Sequence, residues 1–236
     1  MSLFVSHGDK GGCGKTVTCS ALIDWLASQP RSSGQKSPIV IDTDPRNPDI
    51  YRMFKNALTC QRIDLRERSG WMDMIDILAE TPERHMVMNM GAGIGSAMGR
   101  DGVDFFKLAK EDLKIPIHLL WTIDDGEDSV KLFEVAAREL YEYCTTVTVL
   151  RNQFFGTSDK FTYWNGSAAQ KQYENRGLKT LDLPEFMARV KSKLKGQSPQ
   201  RALNDQQLGL KYSERSEITR WLQKTDTIFS AIGFKI

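Results

Sequence analysis

A glycine- and lysine-rich turn near the start of the chain carries the side chains best suited to bind phosphate. Residues 10–16 read Lys-Gly-Gly-Cys-Gly-Lys-Thr, between an apolar run at residues 3–5 and a segment whose apolar periodicity predicts a helix. In such a strand–turn–helix unit, backbone N–H groups face an anion and glycines let the chain approach it closely. Lys15 would reach the β- and γ-phosphates of a nucleotide, and the Thr16 hydroxyl would bind Mg²⁺.

Two carboxylates follow the next strand-like run. The apolar residues 39–41 lead into Asp42 and Asp44, and Pro45 comes directly after them. Ligands of an open α/β sheet bind beyond the carboxyl ends of its strands, so we expect both acids beside the phosphate-binding turn. The alternative is plain turn chemistry, because an Asp-Pro pair often begins a turn.

A third apolar run, residues 86–90, contains Asn89 and ends in Gly91-Ala92-Gly93. An amide can accept a hydrogen bond from a metal-bound water but brings no negative charge. The glycines would suit a loop that moves when a γ-phosphate leaves. The alternative is a glycine turn after a core strand.

The phosphate-binding turn departs from the pattern G-x-x-x-x-G-K-[ST], because Asp9 stands where that pattern has its first glycine and Lys10 precedes the other glycines. It resembles the deviant Walker A motif, K-G-G-x-G-K-[ST], of the ParA/MinD family of P-loop ATPases, and residues 42–45 resemble that family's D-x-D-P motif. The resemblance implies that Lys10 reaches across a nucleotide-sandwich dimer to the partner's phosphates. It also implies that Asp44 orients or deprotonates the attacking water and that Asp42 lies near the Mg²⁺ shell.

The motifs and the resemblance together give the candidate site residues. The catalytic candidates are Lys10, Lys15 and Asp44, and the Mg²⁺ candidates are Thr16, Asp42 and Asn89. The family has Asp where this chain has Asn89, so we expect slow hydrolysis. In the family an Asn after a later strand contacts adenine, and Asn152 matches that place. The nucleotide-binding candidates are Asp9, Lys10, Gly11, Gly12, Cys13, Gly14, Lys15, Thr16, Val17 and Asn152.

Strand-like and helix-like runs alternate along the 236 residues, which predicts one α/β domain over residues 1–236. We expect a P-loop NTPase fold: a doubly wound, mostly parallel sheet with helices on both faces. The predicted strands are 3–7, 39–43, 86–90, 115–122, 146–151 and 178–181, with a short one near 61–65. The predicted helices are 16–28, 71–79, 102–113, 127–142, 166–175, 185–194 and 214–231.

Global charge does not indicate a nucleic-acid binder, because 32 basic residues face 30 acidic ones. Residues 189–224 are locally basic and could bind DNA phosphates without reading sequence, or form an ordinary solvated face. Their basic members are Arg189, Lys191, Lys193, Lys195, Arg201, Lys211, Arg215, Arg220 and Lys224. The four cysteines have no zinc-type spacing, and no run reaches membrane-spanning length, so we expect reduced thiols and a cytoplasmic protein.

The resemblance implies an ATPase that dimerises around two Mg-ATP and positions DNA cargo, as in plasmid partition or as a conjugation accessory, with a DNA-binding adaptor as partner. One alternative is a MinD-like protein that binds membrane through its last helix. The apolar stripe of residues 218–232 has a mixed polar face, which favours packing against the core instead. A second alternative is a small-molecule ATP-dependent ligase or kinase, such as a dethiobiotin-synthetase-like enzyme.

Overall fold

The computed structural model describes residues 1–30 and 33–234, which form one α/β unit around a seven-stranded sheet. The strand order is β3-β2-β4-β1-β5-β6-β7, and every pair is parallel. The sheet is thus entirely parallel, where the sequence predicted a mostly parallel one. Its strands are β1 (Leu3–His7), β2 (Ile39–Asp42), β3 (Thr59–Arg62), β4 (Met86–Asn89), β5 (Ile117–Ile123), β6 (Thr146–Asn152) and β7 (Lys179–Leu183).

Helices cover both faces of the sheet, as the sequence predicted. The helices are α1 (Lys15–Ser28), α2 (Asp49–Phe54), α3 (Arg68–Glu80), α4 (Gly95–Ala97), α5 (Val103–Glu111), α6 (Glu127–Leu140), α7 (Ala168–Glu174), α8 (Ala188–Lys191), α9 (Pro199–Asn204) and α10 (Tyr212–Ile232). One core cluster joins α3, α5, α6 and α7 to the sheet, and the other joins α1, α2, α8, α9 and α10 to its opposite face.

The central strands are buried on both faces, and most of their residues are apolar. Strands β1, β4 and β5 are fully buried, and their Leu, Val, Ile and Met side chains point alternately into the two core clusters. Edge strand β3 is mostly exposed and polar, as suits a strand with one unpaired side. This arrangement leaves the carboxyl ends of the central strands at one rim of the sheet.

The helices differ from the prediction in two ways: one predicted helix is shorter, and several short helices were not predicted. The helix predicted over 185–194 is only the short α8, and α9 and α2 were not predicted. Ser198 caps α9 by accepting the Arg201 N–H, and Pro199 occupies its first turn, which are local start signals. The missed helices α2 and α9 are six residues long and the missed α4 is three, which is too short for a periodic apolar pattern to reveal them.

The last helix packs against the core, as its mixed polar face indicated. Ile218, Trp221, Phe229 and Ile232 of α10 are buried against the cluster that contains α1. Beyond the helix, the Phe234 ring lies 5.0 Å from the Phe4 ring, measured between centroids. Within the described residues, none of the helices combines the length and the apolar character needed to cross a bilayer.

Candidate nucleotide site

A cavity of about 810 Å³ opens at the rim where β1, β2 and β4 end. Three loops from these strands meet there: the phosphate loop (residues 10–16), the acid loop (residues 42–45) and the glycine loop (residues 91–93). Of the sequence-predicted site residues, seven line the cavity: Gly11, Gly12, Gly14, Lys15, Thr16, Val17 and Asp44. The volume lies within the range of small-molecule sites.

The phosphate loop needs glycine for two separate reasons. Gly12 and Gly14 have positive φ angles, 80° and 111°, which side chains rarely adopt. A Cβ at Gly14 would also collide with the Asn152 amide. Gly11 faces open space, since an added Cβ would meet nothing within 4 Å.

Lys15 begins α1 and points its ammonium into the loop. Its Nζ donates to the Lys10 carbonyl at 2.5 Å and lies 3.8 Å from the Cys13 sulfur. The Ser6 hydroxyl donates to the Lys15 carbonyl at 3.1 Å, which fixes the start of α1 against β1. Burial raises the pKa of the Cys13 thiol, so it remains protonated beside the lysine. The loop thus encloses a positive charge at the mouth of the cavity.

The acid loop is organised by Asp42. Its carboxylate accepts the backbone N–H groups of Asp44 at 3.2 Å and Tyr51 at 2.9 Å. It also accepts the Asn89 amide N–H at 3.1 Å. Burial raises the pKa of Asp42, and these hydrogen bonds oppose the rise. The Asp42 carboxylate therefore fixes the conformation of the acid loop.

Asp44 is the acid that reaches the cavity wall. Its Oδ1 accepts the N–H groups of Arg46 at 3.0 Å and Asn47 at 2.9 Å, which fixes the carboxylate in a local turn. Its Oδ2 accepts no hydrogen bond from the described residues. One oxygen therefore orients the group and the other can accept a proton.

The side chains around Asn89 fit a hydrated Mg²⁺. The Asn89 Oδ1 atom is buried and has no hydrogen-bond partner among the described residues, so it could accept from a metal-bound water. No group of three His, Cys, Asp or Glu side chains in the described part of the chain could hold a metal. Mg²⁺ is usually bound by few protein ligands together with nucleotide phosphates and water. Asp42 and Asn89 are hydrogen-bonded to each other and Thr16 lines the cavity, and their role as Mg²⁺ ligands stays a prediction.

Lys10 forms an ion pair that sequence reasoning missed. Its ammonium lies 2.7 Å from the Asp124 carboxylate, which follows β5, and this contact raises the pKa of Lys10. Ser129 and Gly126 also donate to Asp124. Burial alone would raise the pKa of Asp124, but the hydrogen bonds from Lys10 and Ser129 hold it below its ordinary value. An acid directly after a strand was the available signal, as it was for Asp42.

The glycine loop is held at both ends by contacts that the sequence did not predict. The Asp9 carboxylate accepts the Gly93 N–H at 2.8 Å. The Thr43 hydroxyl accepts the Gly91 N–H at 3.0 Å and donates to the Asn89 carbonyl at 3.0 Å. The glycine loop is thus hydrogen-bonded to the acid loop and to Asp9, which directly precedes the phosphate loop.

The Asn152 side chain is hydrogen-bonded to the backbone of the phosphate loop. Its amide donates to the Cys13 carbonyl at 2.9 Å and accepts the Phe154 N–H at 3.1 Å. Contact with adenine, the role that the resemblance assigns to Asn152, stays a prediction. The far wall of the cavity is apolar and was not foreseen; it includes Met53, Phe186, Leu194, Pro199 and Trp221.

The basic residues of the segment 189–224 do not act as one group. Four of them bind the chain itself: Lys193 pairs with Glu214, Arg220 pairs with Glu217, and Arg201 and Arg215 donate to the Met53 and Leu203 carbonyls. Arg189, Lys191 and Lys195 are exposed on or just after α8, and Lys191 borders the cavity.

A comparison with known proteins finds a relative that aligns over nearly the whole chain. Protein MobD of Acidithiobacillus ferrooxidans is 28% identical over 238 residues, which cover 98% of this chain and 97% of that protein. No protein-family model matches. The MinC:MinD cell division protein complex of Aquifex aeolicus contains a chain of similar fold, with a TM-score of 0.53, 15% identity and coverage of 100% and 98% of the two chains.

The fold also overlaps in part with FtsY of Elizabethkingia anophelis in complex with GDP. The TM-score is 0.44, the identity is 13%, and the overlap covers 52% of the FtsY chain. The MinD-like fold, the relationship to MobD and the Lys-Gly-Gly-Cys-Gly-Lys-Thr loop agree with one another. The chain is thus related to MobD over nearly its whole length and has a MinD-like P-loop fold, with a phosphate loop that resembles the ParA/MinD motif.

Proposed function

We propose that the chain binds ATP in the cavity at the sheet rim, hydrolyses it slowly with Mg²⁺, and dimerises when ATP is bound. The observation that carries the proposal is the position of Lys15: a cation at the start of α1, enclosed by a glycine-rich loop and facing the same cavity as Asp44. Loop N–H groups, a helix N-terminus and an ammonium together form an anion site.

Each wall of the cavity would then serve one part of the nucleotide. The phosphate loop and Lys15 would bind the phosphates, and the partly exposed Met53 in the apolar part of the lining would lie against the base. Thr16, Asp42 and Asn89 would hold Mg²⁺, which neutralises charge on the transferring phosphoryl group. Asp44 would orient water through its free oxygen, as the resemblance implies.

We also propose that the ATP-bound dimer positions DNA cargo, in plasmid partition or stability or as a conjugation accessory. The exposed cations Arg189, Lys191 and Lys195 support a DNA-facing surface beside the cavity. A DNA-binding adaptor protein is the partner that this role would require. The cytoplasm is the compartment in which it would act.

Nucleotide binding and hydrolysis by two variants test the enzymatic part of the proposal. Lys15→Ala should abolish ATP binding. The control Lys107→Ala, which changes an exposed side chain on α5, should bind ATP normally. Asp44→Asn should keep ATP affinity and lower kcat by roughly a hundredfold. Asp49→Asn, which changes another acid of the same cavity wall, is the matched control. Normal ATP affinity in Lys15→Ala would refute the site.

A further inference from the structure

Asp9 combines an unusual backbone conformation with an unfavourable charge. Its φ angle is 38°, in the left-handed region that glycine adopts more easily, and Asp is one of the few side chains that tolerate it. Its carboxylate lies beside a loop built to bind anions. A residue that is costly in both respects should make an interaction that glycine could not.

That interaction is the hydrogen bond between the Asp9 carboxylate and the Gly93 N–H, 2.8 Å long. The Asp9 backbone is held in place for it, because its own N–H donates to His7 Nδ1 at 3.4 Å. Burial first, and the nearby Lys15 charge second, lower the pKa of His7 to about 3. His7 is therefore neutral and able to accept this hydrogen bond.

The glycine loop that Asp9 holds is also a wall of the cavity. Ala92 and Gly93 line the cavity together with Gly12 and Lys15 of the phosphate loop. A terminal phosphate bound by Lys15 would therefore lie in the cavity that the two loops share. Gly93 has a φ angle of 75° and space around it, so its backbone can turn without a side-chain clash.

We propose that the Asp9 carboxylate occupies the Gly93 N–H in the nucleotide-free protein and gives it up to the terminal phosphate of a nucleoside triphosphate. Two anions cannot share one N–H donor, so a triphosphate displaces Asp9 and releases the glycine loop. A diphosphate has no group at that position and leaves the contact intact. Asp9 is thus a positioning residue that makes the glycine loop respond to ATP and not to ADP; this inference rests on the proposed function.

The test compares affinities for ADP and for AMP-PNP, a triphosphate analogue that resists hydrolysis, in the full chain. Asp9→Asn removes the charge while keeping a side chain that tolerates the backbone, and Asp9→Gly removes the contact. Both should bind AMP-PNP roughly tenfold more tightly than the wild-type protein, with ADP affinity changed by less than about twofold. Asp104→Asn, exposed on α5, is the charge-matched control and should change neither affinity.

Amide hydrogen exchange at Gly93 gives a second readout. In the wild-type protein this amide should be protected without nucleotide, and in Asp9→Gly it should exchange faster. Equal changes in ADP and AMP-PNP affinity, or none, would overturn the inference and leave the proposed function standing. Tighter AMP-PNP binding with unaltered Gly93 exchange would also overturn it, because simple charge repulsion would then suffice. If the wild-type protein bound neither nucleotide, the proposed function itself would fail.

Discussion

At the scale of single residues, the charged side chains of the site are each held by a hydrogen bond or an ion pair. Asp42 holds the acid loop, Asp44 is fixed by its own turn, and Lys10 lies on Asp124. Such anchoring keeps each group oriented before a ligand arrives, so little ordering remains to be done on binding. Substitutions here should therefore alter local loop geometry as well as charge.

Asn89 allows the sharpest prediction at this scale. Its amide N–H donates to the Asp42 carboxylate at 3.1 Å, and both residues are buried. Asn89→Asp would place two carboxylates together, which should destabilise the metal-free protein by about 1–3 kcal/mol. Mg²⁺ should offset this cost and reach half-saturation of the ATPase at a lower concentration than in the wild-type protein.

Thermal unfolding with and without Mg²⁺, together with a Mg²⁺ titration of ATPase rate, checks the Asn89→Asp prediction. Asn47→Asp is the matched control, because Asn47 lines the same cavity but is exposed and lies outside the Asp42 contact. An unchanged half-saturating Mg²⁺ concentration in Asn89→Asp would show that residue 89 lies beyond the influence of the metal.

The difference between predicted and missed site residues has a physical cause. Lys15, Thr16 and Asp44 could be predicted because their positions follow from one strand and the loop after it. The contacts of Asp124 and Thr43 could not be predicted, because they join loops that are distant along the chain. Pairings of that kind depend on strand order, which a single sequence does not reveal.

At the scale of elements, α1 is the link between the site and the rest of the molecule. It begins at Lys15 and is buried on nearly all sides, between the sheet and helices α9 and α10. Its length and position were predictable from apolar periodicity. Its connection to α9 was not predictable, because the connection depends on a buried acid and on a helix that is too short to detect from sequence.

Asp24 forms this connection between α1 and α9. It accepts the Ser198 hydroxyl at 2.7 Å and the Gln200 N–H at 3.0 Å, and it is 7% exposed. Burial raises the pKa of Asp24 from 3.8 to about 6. The folded protein therefore holds this proton at a higher pH than the unfolded chain does. Stability from Asp24 is present at low pH and is lost as pH rises through about 6.

The expected loss of unfolding free energy from this group is about 1 kcal/mol between about pH 5 and about pH 7. Asp24→Asn should remove that slope, although it also weakens one hydrogen bond. Urea unfolding of both proteins across this range measures the difference, with exposed Asp73→Asn on α3 as control. Parallel stability profiles for wild type and Asp24→Asn would contradict the assignment.

At the scale of the whole molecule, the proposal requires one chain to meet a second copy at the sheet rim. Lys10 now pairs with Asp124 of its own chain, so it must leave that carboxylate before it can reach a partner's nucleotide. Part of the energy of dimerisation is then spent on breaking this pair. The pair is partly exposed, with the Lys10 side chain 32% accessible, so the exchange is feasible at modest cost.

Lys10→Ala should therefore leave the ATP affinity of the monomer within about threefold of wild type and abolish ATP-dependent dimerisation. Lys36→Ala is the matched control, because its ammonium also pairs with a carboxylate, that of Glu83, at 3.0 Å. Sedimentation velocity with ADP and with AMP-PNP reports the oligomeric state of each variant. Dimerisation of Lys10→Ala at the wild-type nucleotide concentration would refute the role that the resemblance gives to Lys10.

DNA binding depends on where the exposed cations lie on the finished surface. Of the basic segment, Arg189 and Lys195 are exposed and make no ion pair with another described residue, so they are the better choice for charge reversal. The double substitution Arg189→Glu and Lys195→Glu should weaken ATP-dependent binding to non-specific DNA. The slope of log affinity against log salt should fall by about two, because two phosphate contacts and their released counterions are lost.

A charge-matched pair, Lys107→Glu and Arg138→Glu, lies on α5 and α6 over the opposite face of the sheet and should leave the slope unchanged. ATP binding and dimerisation should persist in both double variants, since none of the four side chains lines the cavity. If the double substitution of Arg189 and Lys195 left DNA affinity and salt slope unaltered, this surface would not contact DNA. The next hypothesis to test would then be that an adaptor protein connects this chain to its cargo. A membrane is the weaker alternative, because the apolar face of α10 is already buried.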